Sequence, residues 1–260
     1  MMFKTIIGRS VLLAALVLSA LPSVAAQGIV DDYLPFSKSK LRRFPMKRHD
    51  LPAGFRDGTP FVISGVRMRE EDDESQPRPR DDTGDAVSAR LLVFSGRDLD
   101  GKEWRIQTTA YIYYDAVYEA DLDRNGVRDL VLTIGTGGNG LAPPTQLLFL
   151  TFDRRGRPAL FAATGYFQPQ PDGIFDVVDM DGDGRAELLY VVFDDGYWIT
   201  NFYNMREARW NRVPALAGLR FPLYTRFTNR PNHRPVRPAP GRHPVAPDLL
   251  EENRNEAGAP

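Results

Sequence analysis

The order of apolar and polar positions divides this chain into short runs that suit strands rather than helices. Residues 61–68 (FVISGVRM), 90–95 and 104–114 (WRIQTTAYIYY) are rich in aromatic and β-branched residues, with turn signals such as Asp98-Leu99-Asp100-Gly101 between them. A second set covers residues 116–120, 130–134 (LVLTI), 146–152 and 158–163, its last two runs joined by the turn Asp153-Arg154-Arg155-Gly156. A third covers residues 174–178, 188–193 (LLYVVF), 198–205 and 209–213. After the first 26 residues no stretch sustains the i, i+3, i+4 spacing of an amphipathic helix. LVLTI and LLYVVF are continuous apolar runs, the pattern of strands covered on both faces, so sheets stacked face to face are expected. The fold class predicted is all-β, built from antiparallel four-stranded meanders.

Around these runs the chain divides into four segments. Residues 1–26 read as a secretory signal peptide: Lys4 and Arg9 precede the apolar run 11–21, and Ser23-Val24-Ala25-Ala26 supplies small residues for cleavage. That apolar run is short of the roughly 20 residues a membrane span needs, and an uncleaved N-terminal anchor is the alternative reading. Residues 27–58 show little periodicity and carry a basic cluster (Lys38, Lys40, Arg42, Arg43, Lys47, Arg48). Residues 59–220 form the expected β-rich repeat domain, interrupted at 69–88 by a polar, proline-broken loop. Residues 221–260 are rich in proline and arginine and predict a disordered or polyproline tail, solvated or touching an anionic surface.

Composition narrows the chemistry. The 260 residues contain no cysteine, which excludes disulfides, thiolate metal sites, a cysteine nucleophile and an acylated lipoprotein cysteine. An exported chain of this kind, expected in the periplasm or secreted, relies on its core, bound ions or a partner for stability. A formal net charge of −1 supplies no field that would draw in nucleic acid.

The segment D-L-D-R-N-G-V-R-D, residues 121–129, recurs as D-M-D-G-D-G-R-A-E, residues 179–187, and the second begins 58 residues after the first. Each places oxygen-bearing side chains at loop positions 1, 3, 5 and 9 and glycine at position 6, a set suited to a hard cation such as calcium. Asp121, Asp123 and Asp129 gather three negative charges, and Asp179, Asp181, Asp183 and Glu187 gather four. Without a cation such groups repel, and some protonate or splay. Asn125 or Asp183 at position 5 and the backbone carbonyl of Val127 or Arg185 at position 7 extend the oxygen set. An EF-hand would need a glutamate at position 12 and flanking helices; here position 12 is Leu132 or Tyr190, inside strand patterns. The bland reading of both loops is an Asx-rich hairpin turn.

The β-flanked loop with an acid at position 9 resembles the calcium loops of FG-GAP/VCBS-type repeats, as in integrin-like β-propellers. The resemblance rests on residues 120–134 and 176–193, without clear phenylalanine-glycine or Gly-Ala-Pro signatures, and with Glu187 where aspartate is usual. It implies calcium ligation by Asp121, Asp123, Asn125, Val127 (backbone) and Asp129, and by Asp179, Asp181, Asp183, Arg185 (backbone) and Glu187. Both loops tie adjacent strands, and their ligand sets are filled rather than open for substrate, so a structural role for the ion is expected. Meanders of this length match propeller blades in scale, but two clear units and one divergent unit fall short of the four blades a closed ring needs. An incomplete propeller, closure by oligomerisation and a sandwich all remain open.

Other motifs carry less. Residues 135–140 fit G-x-G-x-x-G, but a strand pattern rather than a helix follows, so no dinucleotide site is expected. His49, His233 and His243, the three histidines, lie in the irregular segment or the tail, which disfavours a Ser-His-Asp triad or a zinc site. Asp194, Asp195, Asp115 and Glu119 are the carboxylates available for acid and base chemistry, with nothing to set their separation. Tyr197, Trp198, Phe202, Tyr203 and Trp210 read as core or cross-strand packing ahead of a sugar-stacking platform. The functional expectation is an exported calcium-binding module with a non-catalytic binding or adhesion role toward a glycan or an envelope protein. The alternatives are an envelope scaffold without a ligand and a carboxylate hydrolase with structural calcium.

Overall fold

The computed structural model describes residues 33–36, 41–73, 90–111, 113–135, 144–216 and 218–252. The expected signal peptide, residues 74–88 of the polar loop and residues 136–140 of the glycine-rich motif lie outside them. In chain order the strands are β1 (Lys47–Asp50), β2 (Phe61–Ile63), β3 (Val66–Asp72), β4 (Arg90–Arg97), β5 (Glu103–Thr109), β6 (Tyr113–Ala120), β7 (Asp129–Gly135), β8 (Thr145–Phe152) and β9 (Pro158–Gly165). They continue as β10 (Pro169–Gln170), β11 (Gly173–Ile174), β12 (Val177–Val178), β13 (Glu187–Asp194), β14 (Tyr197–Arg206) and β15 (Arg209–Arg212). The last five are β16 (Ala215–Leu216), β17 (Leu219–Arg220), β18 (Leu223–Arg226), β19 (Pro235–Val236) and β20 (Leu250–Glu251).

The fold is all-β. Three antiparallel sheets carry it: a first sheet β2-β3-β4-β5, a middle sheet β1-β6-β7-β8-β9-β20, and a third sheet β12-β13-β14-β18-β19 in which β15 also pairs with β14. Side-chain alternation shows how they stack. On the middle sheet, Tyr118, Val131, Phe149 and Phe161 pack with Leu188, Tyr190 and Tyr203 of the third sheet. Their neighbours Val117, Leu130, Leu132, Leu148 and Leu160 pack with Met68, Leu92, Phe94 and Ile106 of the first. The middle sheet is therefore buried on both faces, which explains why LVLTI shows no alternation. The first sheet is an outer layer, and β3 alternates buried and exposed positions along most of its length. Gly165 lies so close to the third sheet that a Cβ there would stand 2.6 Å from the Val191 carbonyl oxygen. The described strands form a layered, incomplete-propeller or sandwich-like array and no closed barrel.

Several boundaries differ from those expected. The run 104–114 is two strands: β5 ends the first sheet, and β6 opens the middle one after Ala110 donates its amide to the Arg90 carbonyl at 3.0 Å. The run 61–68 is a hairpin, folded at Ser64-Gly65, where both residues have positive φ. Residues 27–58 are not wholly irregular, since β1 pairs with β6 and residues 42–44 run along β12.

The tail expected to be disordered from residue 221 is ordered through residue 252, and the third sheet supplies the reason. Its outward face is apolar and needs a cover. Phe221 stacks on Phe202 with ring centroids 5.4 Å apart, and Leu223 is buried. On the opposite face, toward the middle sheet, the fully buried Asn201 donates to the Pro247 carbonyl, and the Tyr203 hydroxyl meets the Asp248 carboxylate at 3.0 Å. Proline removes amide donors but leaves carbonyl acceptors, and these partners use them. On the outward face, which Phe202 shares, Val191 and Trp198 are covered by Tyr33 and Leu34.

Candidate metal centre

Hairpins at one end of the stack position the acidic loops. Loop 1, residues 121–128, joins β6 to β7; loop 2, residues 179–186, joins β12 to β13 in the adjacent sheet. The first sheet has only the Ser64-Gly65 turn between its opening strands. Gly126 (φ 93°) and Gly184 (φ 79°) make the left-handed bend that brings the later acid back over the first.

The two loops share one hydrogen-bond pattern. The amides of Leu122 and Met180 donate to Asp129 Oδ2 (2.8 Å) and Glu187 Oε2 (2.7 Å). Those of Gly126 and Gly184 donate to Asp121 Oδ2 (2.9 Å) and Asp179 Oδ1 (3.3 Å). Those of Asn125 and Asp183 donate to Asp123 Oδ1 (3.1 Å) and Asp181 Oδ1 (3.0 Å). Those of Val127 and Arg185 donate to Asn125 Oδ1 (2.7 Å) and Asp183 Oδ1 (2.8 Å). The 58-residue offset is thus a repeat of structure as well as of sequence.

In each loop three carboxylates converge. Asp121, Asp123 and Asp129 bring oxygens within 4.8 Å of one another, as do Asp179, Asp181 and Glu187. Asp123, Asp129, Asp179 and Glu187 are buried. Burial, with Asp123 and Asp121 adding to it, holds the Asp129 carboxyl well above its ordinary range despite two amide donors. Burial and the charges of Asp181, Asp183 and Asp179 push Glu187 up to about 7. An all-oxygen donor set with this uncompensated charge fits a hard divalent ion.

The position-5 residues bond within and beside their loops. Asn125 accepts from Val127 and donates to the Phe152 carbonyl at 2.6 Å. Asp183 faces the guanidinium of Arg185 at 2.7 Å and that of Arg206 at 3.8 Å. Burial raises the Asp183 carboxyl, but the Arg185 amide and guanidinium outweigh it and leave the group below its ordinary value.

The loops also bind each other, which the linear sequence did not announce. The Ala186 amide donates to the Leu122 carbonyl at 2.7 Å, Arg185 Nε to the Asp123 carbonyl at 3.2 Å, and Arg124 Nη1 to the Asp183 carbonyl at 2.7 Å. An arginine among the acids of each loop, Arg124 in the first and Arg185 in the second, was the available signal. Asp123 Oδ2 accepts the amide of Ala208, in the β14–β15 turn, at 2.8 Å, and Thr151 donates to the carbonyl of that same residue at 2.6 Å.

The remaining candidates disperse. His49 sits on β1 and meets Glu119 at 3.0 Å, while Ser64 also donates to Glu119. The carboxylate stands between hydroxyl and imidazole, so this order does not make the histidine a base for the serine. Asp194 accepts the Val245 amide, Asp195 pairs with Arg242, and Asp115 lies 3.6 Å from Arg48. Tyr197, Trp198, Phe202, Tyr203 and Trp210 are all buried, as packing requires. Comparison with protein-family models, curated proteins and solved structures returns no match.

Proposed function

We propose that this chain is an exported, calcium-binding β-repeat module of FG-GAP/VCBS type whose role is binding rather than catalysis. One observation carries the reading: the same three-carboxylate cluster recurs, with the same amide pattern, at equivalent hairpins of two stacked sheets. Asp121, Asp123 and Asp129 would hold one ion, and Asp179, Asp181 and Glu187 the other. Bound calcium supplies positive charge to carboxylates that burial and mutual repulsion leave uncompensated. The role is structural, because each loop ties neighbouring strands and the two loops clamp adjacent sheets. The binding surface, for a glycan or an envelope protein, lies outside these ligand sets.

Thermal melts of the full chain, after metal removal and again in millimolar calcium, test the metal assignment. An ion that binds only the folded state raises the midpoint. A midpoint indifferent to calcium would sink the assignment.

A further inference from the structure

A cleft of about 540 Å³ opens at the loop end of the stack, between loop 1, the β8–β9 turn and the β14–β15 turn. Its size suits a small ligand or a short stretch of a polymer. Arg154, Arg155, Arg157, Arg185 and Arg206 line it. Arg185 and Arg206 lean on Asp183. Among the described residues, Arg154, Arg155 and Arg157 have no ion-pair partner. All three are exposed and spring from one tight turn.

The five arginines outnumber the three lining acids, Asp123, Asp153 and Glu207. Asp153 Oδ1 accepts the amides of Arg155 and Arg157 at 2.8 and 2.9 Å, and Asp123 holds Ala208. Glu207 is left as the lining carboxylate without such a bond among the described residues. An ion in loop 1 would offset Asp123 and make the cleft more positive still. By contrast, the larger cavity near β1, about 880 Å³, has its Arg43 paired with Asp172.

We propose that this arginine-walled cleft is a binding site for an acidic glycan, whose carboxylate or sulfate groups are held by Arg154, Arg155, Arg157 and Arg206. The proposal rests on the binding-module reading and supplies its ligand chemistry. Guanidinium groups take planar or tetrahedral oxyanions in paired hydrogen bonds. The two arginine-bearing turns belong to adjacent sheets, which pack roughly 10 Å apart, so one chain with spaced charges can engage both. Among the described residues no aromatic side chain lines the cleft, so these offer nucleic-acid bases no stacking platform. A net charge of −1 also gives the chain no broad field for a nucleic-acid backbone.

Calorimetric titration of the full chain, with and without calcium, tests this. The probes are a sulfated tetrasaccharide, a uronate tetrasaccharide, a neutral tetrasaccharide, inorganic sulfate and a single-stranded oligonucleotide. Saturable binding of at least one acidic tetrasaccharide is expected, with at least tenfold loss in the variant R155A/R157A and in Arg206→Gln. Arg226→Ala, on β18 and outside the cleft, stays within twofold of the parent chain. The relative affinities of the sulfated and uronate probes identify the anionic group, and weak binding of inorganic sulfate supports a polymer ligand. Failure of both acidic tetrasaccharides, parent-like affinity in variants that melt normally, or tighter binding of the neutral probe, inorganic sulfate or the oligonucleotide overturns the proposal. The melts keep the two readings apart. A calcium-dependent midpoint without glycan binding removes the cleft assignment alone, and glycan binding with calcium-indifferent melts removes the metal assignment alone.

Discussion

Loop 1 and loop 2 share a backbone path and differ in what surrounds them. Loop 1 sits in the middle sheet, where neighbours supply extra donors: Phe152 gives its amide to Asp129 and the third sheet's turn gives the Ala208 amide to Asp123, each at 2.8 Å. Loop 2 sits in the last layer, and the outside partners of its carboxylates are guanidinium groups: Arg42, 3.5 Å from Asp179, and Arg206, 3.8 Å from Asp183. The middle loop has much of its negative charge solvated by protein amides. The outer loop keeps its three-carboxylate cluster with fewer donors and with Asp181 exposed. Position in the stack thus decides how many protein donors reach each cluster, and on the calcium proposal it would decide how far each depends on the ion.

The sharpest way to break this comparison is Asp129→Ala. It orphans the buried amides of Leu122 and Phe152, and should cost about 2–5 kcal/mol in urea unfolding whether or not calcium is present. Glu187→Ala orphans the Met180 amide alone and should cost less in the calcium-free protein. A larger loss at Glu187 than at Asp129 would reverse the proposed order.

Calcium itself comes next. At a hundred times its dissociation constant the ion should add about 2.7 kcal/mol per site. Asp181→Ala should remove most of the loop 2 share yet change calcium-free stability by no more than about 0.5 kcal/mol, as at an exposed position. Asp123→Ala should instead cost about 1–2 kcal/mol without calcium, because the Ala208 and Asn125 amides lose their acceptor. Identical behaviour of the two variants in chelator would remove the distinction between layers.

A pH series sharpens it further. With its folded pKa held at about 7, above the ordinary 4.5, Glu187 retains a proton longer in the folded chain. Calcium-free stability should therefore fall as pH rises from about 4.5 to 7 and level off beyond. Saturating calcium compensates the ionised group, so the calcium-dependent gain should grow across that window. Glu187→Gln should flatten the calcium-free decline, and unchanged pH curves in that variant would assign it to another group.

Arg124→Ala should give the smallest effect. Its exposed bond to the Asp183 carbonyl should contribute no more than about 1 kcal/mol to the melt. A larger loss would mean that the arginine, rather than the Ala186–Leu122 backbone bond, locks the loops together.

What could be read from the sequence followed from local rules. Strand content, the loop repeat and the burial of LVLTI on both faces came from periodicity and glycine placement. The convergence of Asp121 with Asp129 came from loop spacing. What escaped it was non-local. Nothing near Ala208 reveals that its amide ends on Asp123, and nothing in the proline-rich tail reveals that Asn201 and Tyr203 await its carbonyls. The arginines of the β8–β9 turn read as ordinary turn residues until stacking placed Arg206 across from them. His49 read as irregular because β1 has no apolar alternation; its strand state is imposed by the open edge of β6.

The pairing of β20 with β9 sets a timetable as well as a boundary. The middle sheet has β1 on one edge and β20 on the other, so its second edge is covered at Phe161 and Ala162 by residues 250–251. Contacts so distant along the chain form slowly, because a long loop must close before they return any stabilisation. Until then β9 presents bare amides and carbonyls to any other strand, which makes a chain whose β20 has not docked the form most prone to pairing with its own kind. Self-association during folding should thus depend on how soon this late strand docks, rather than on the metal loops at the end of the stack.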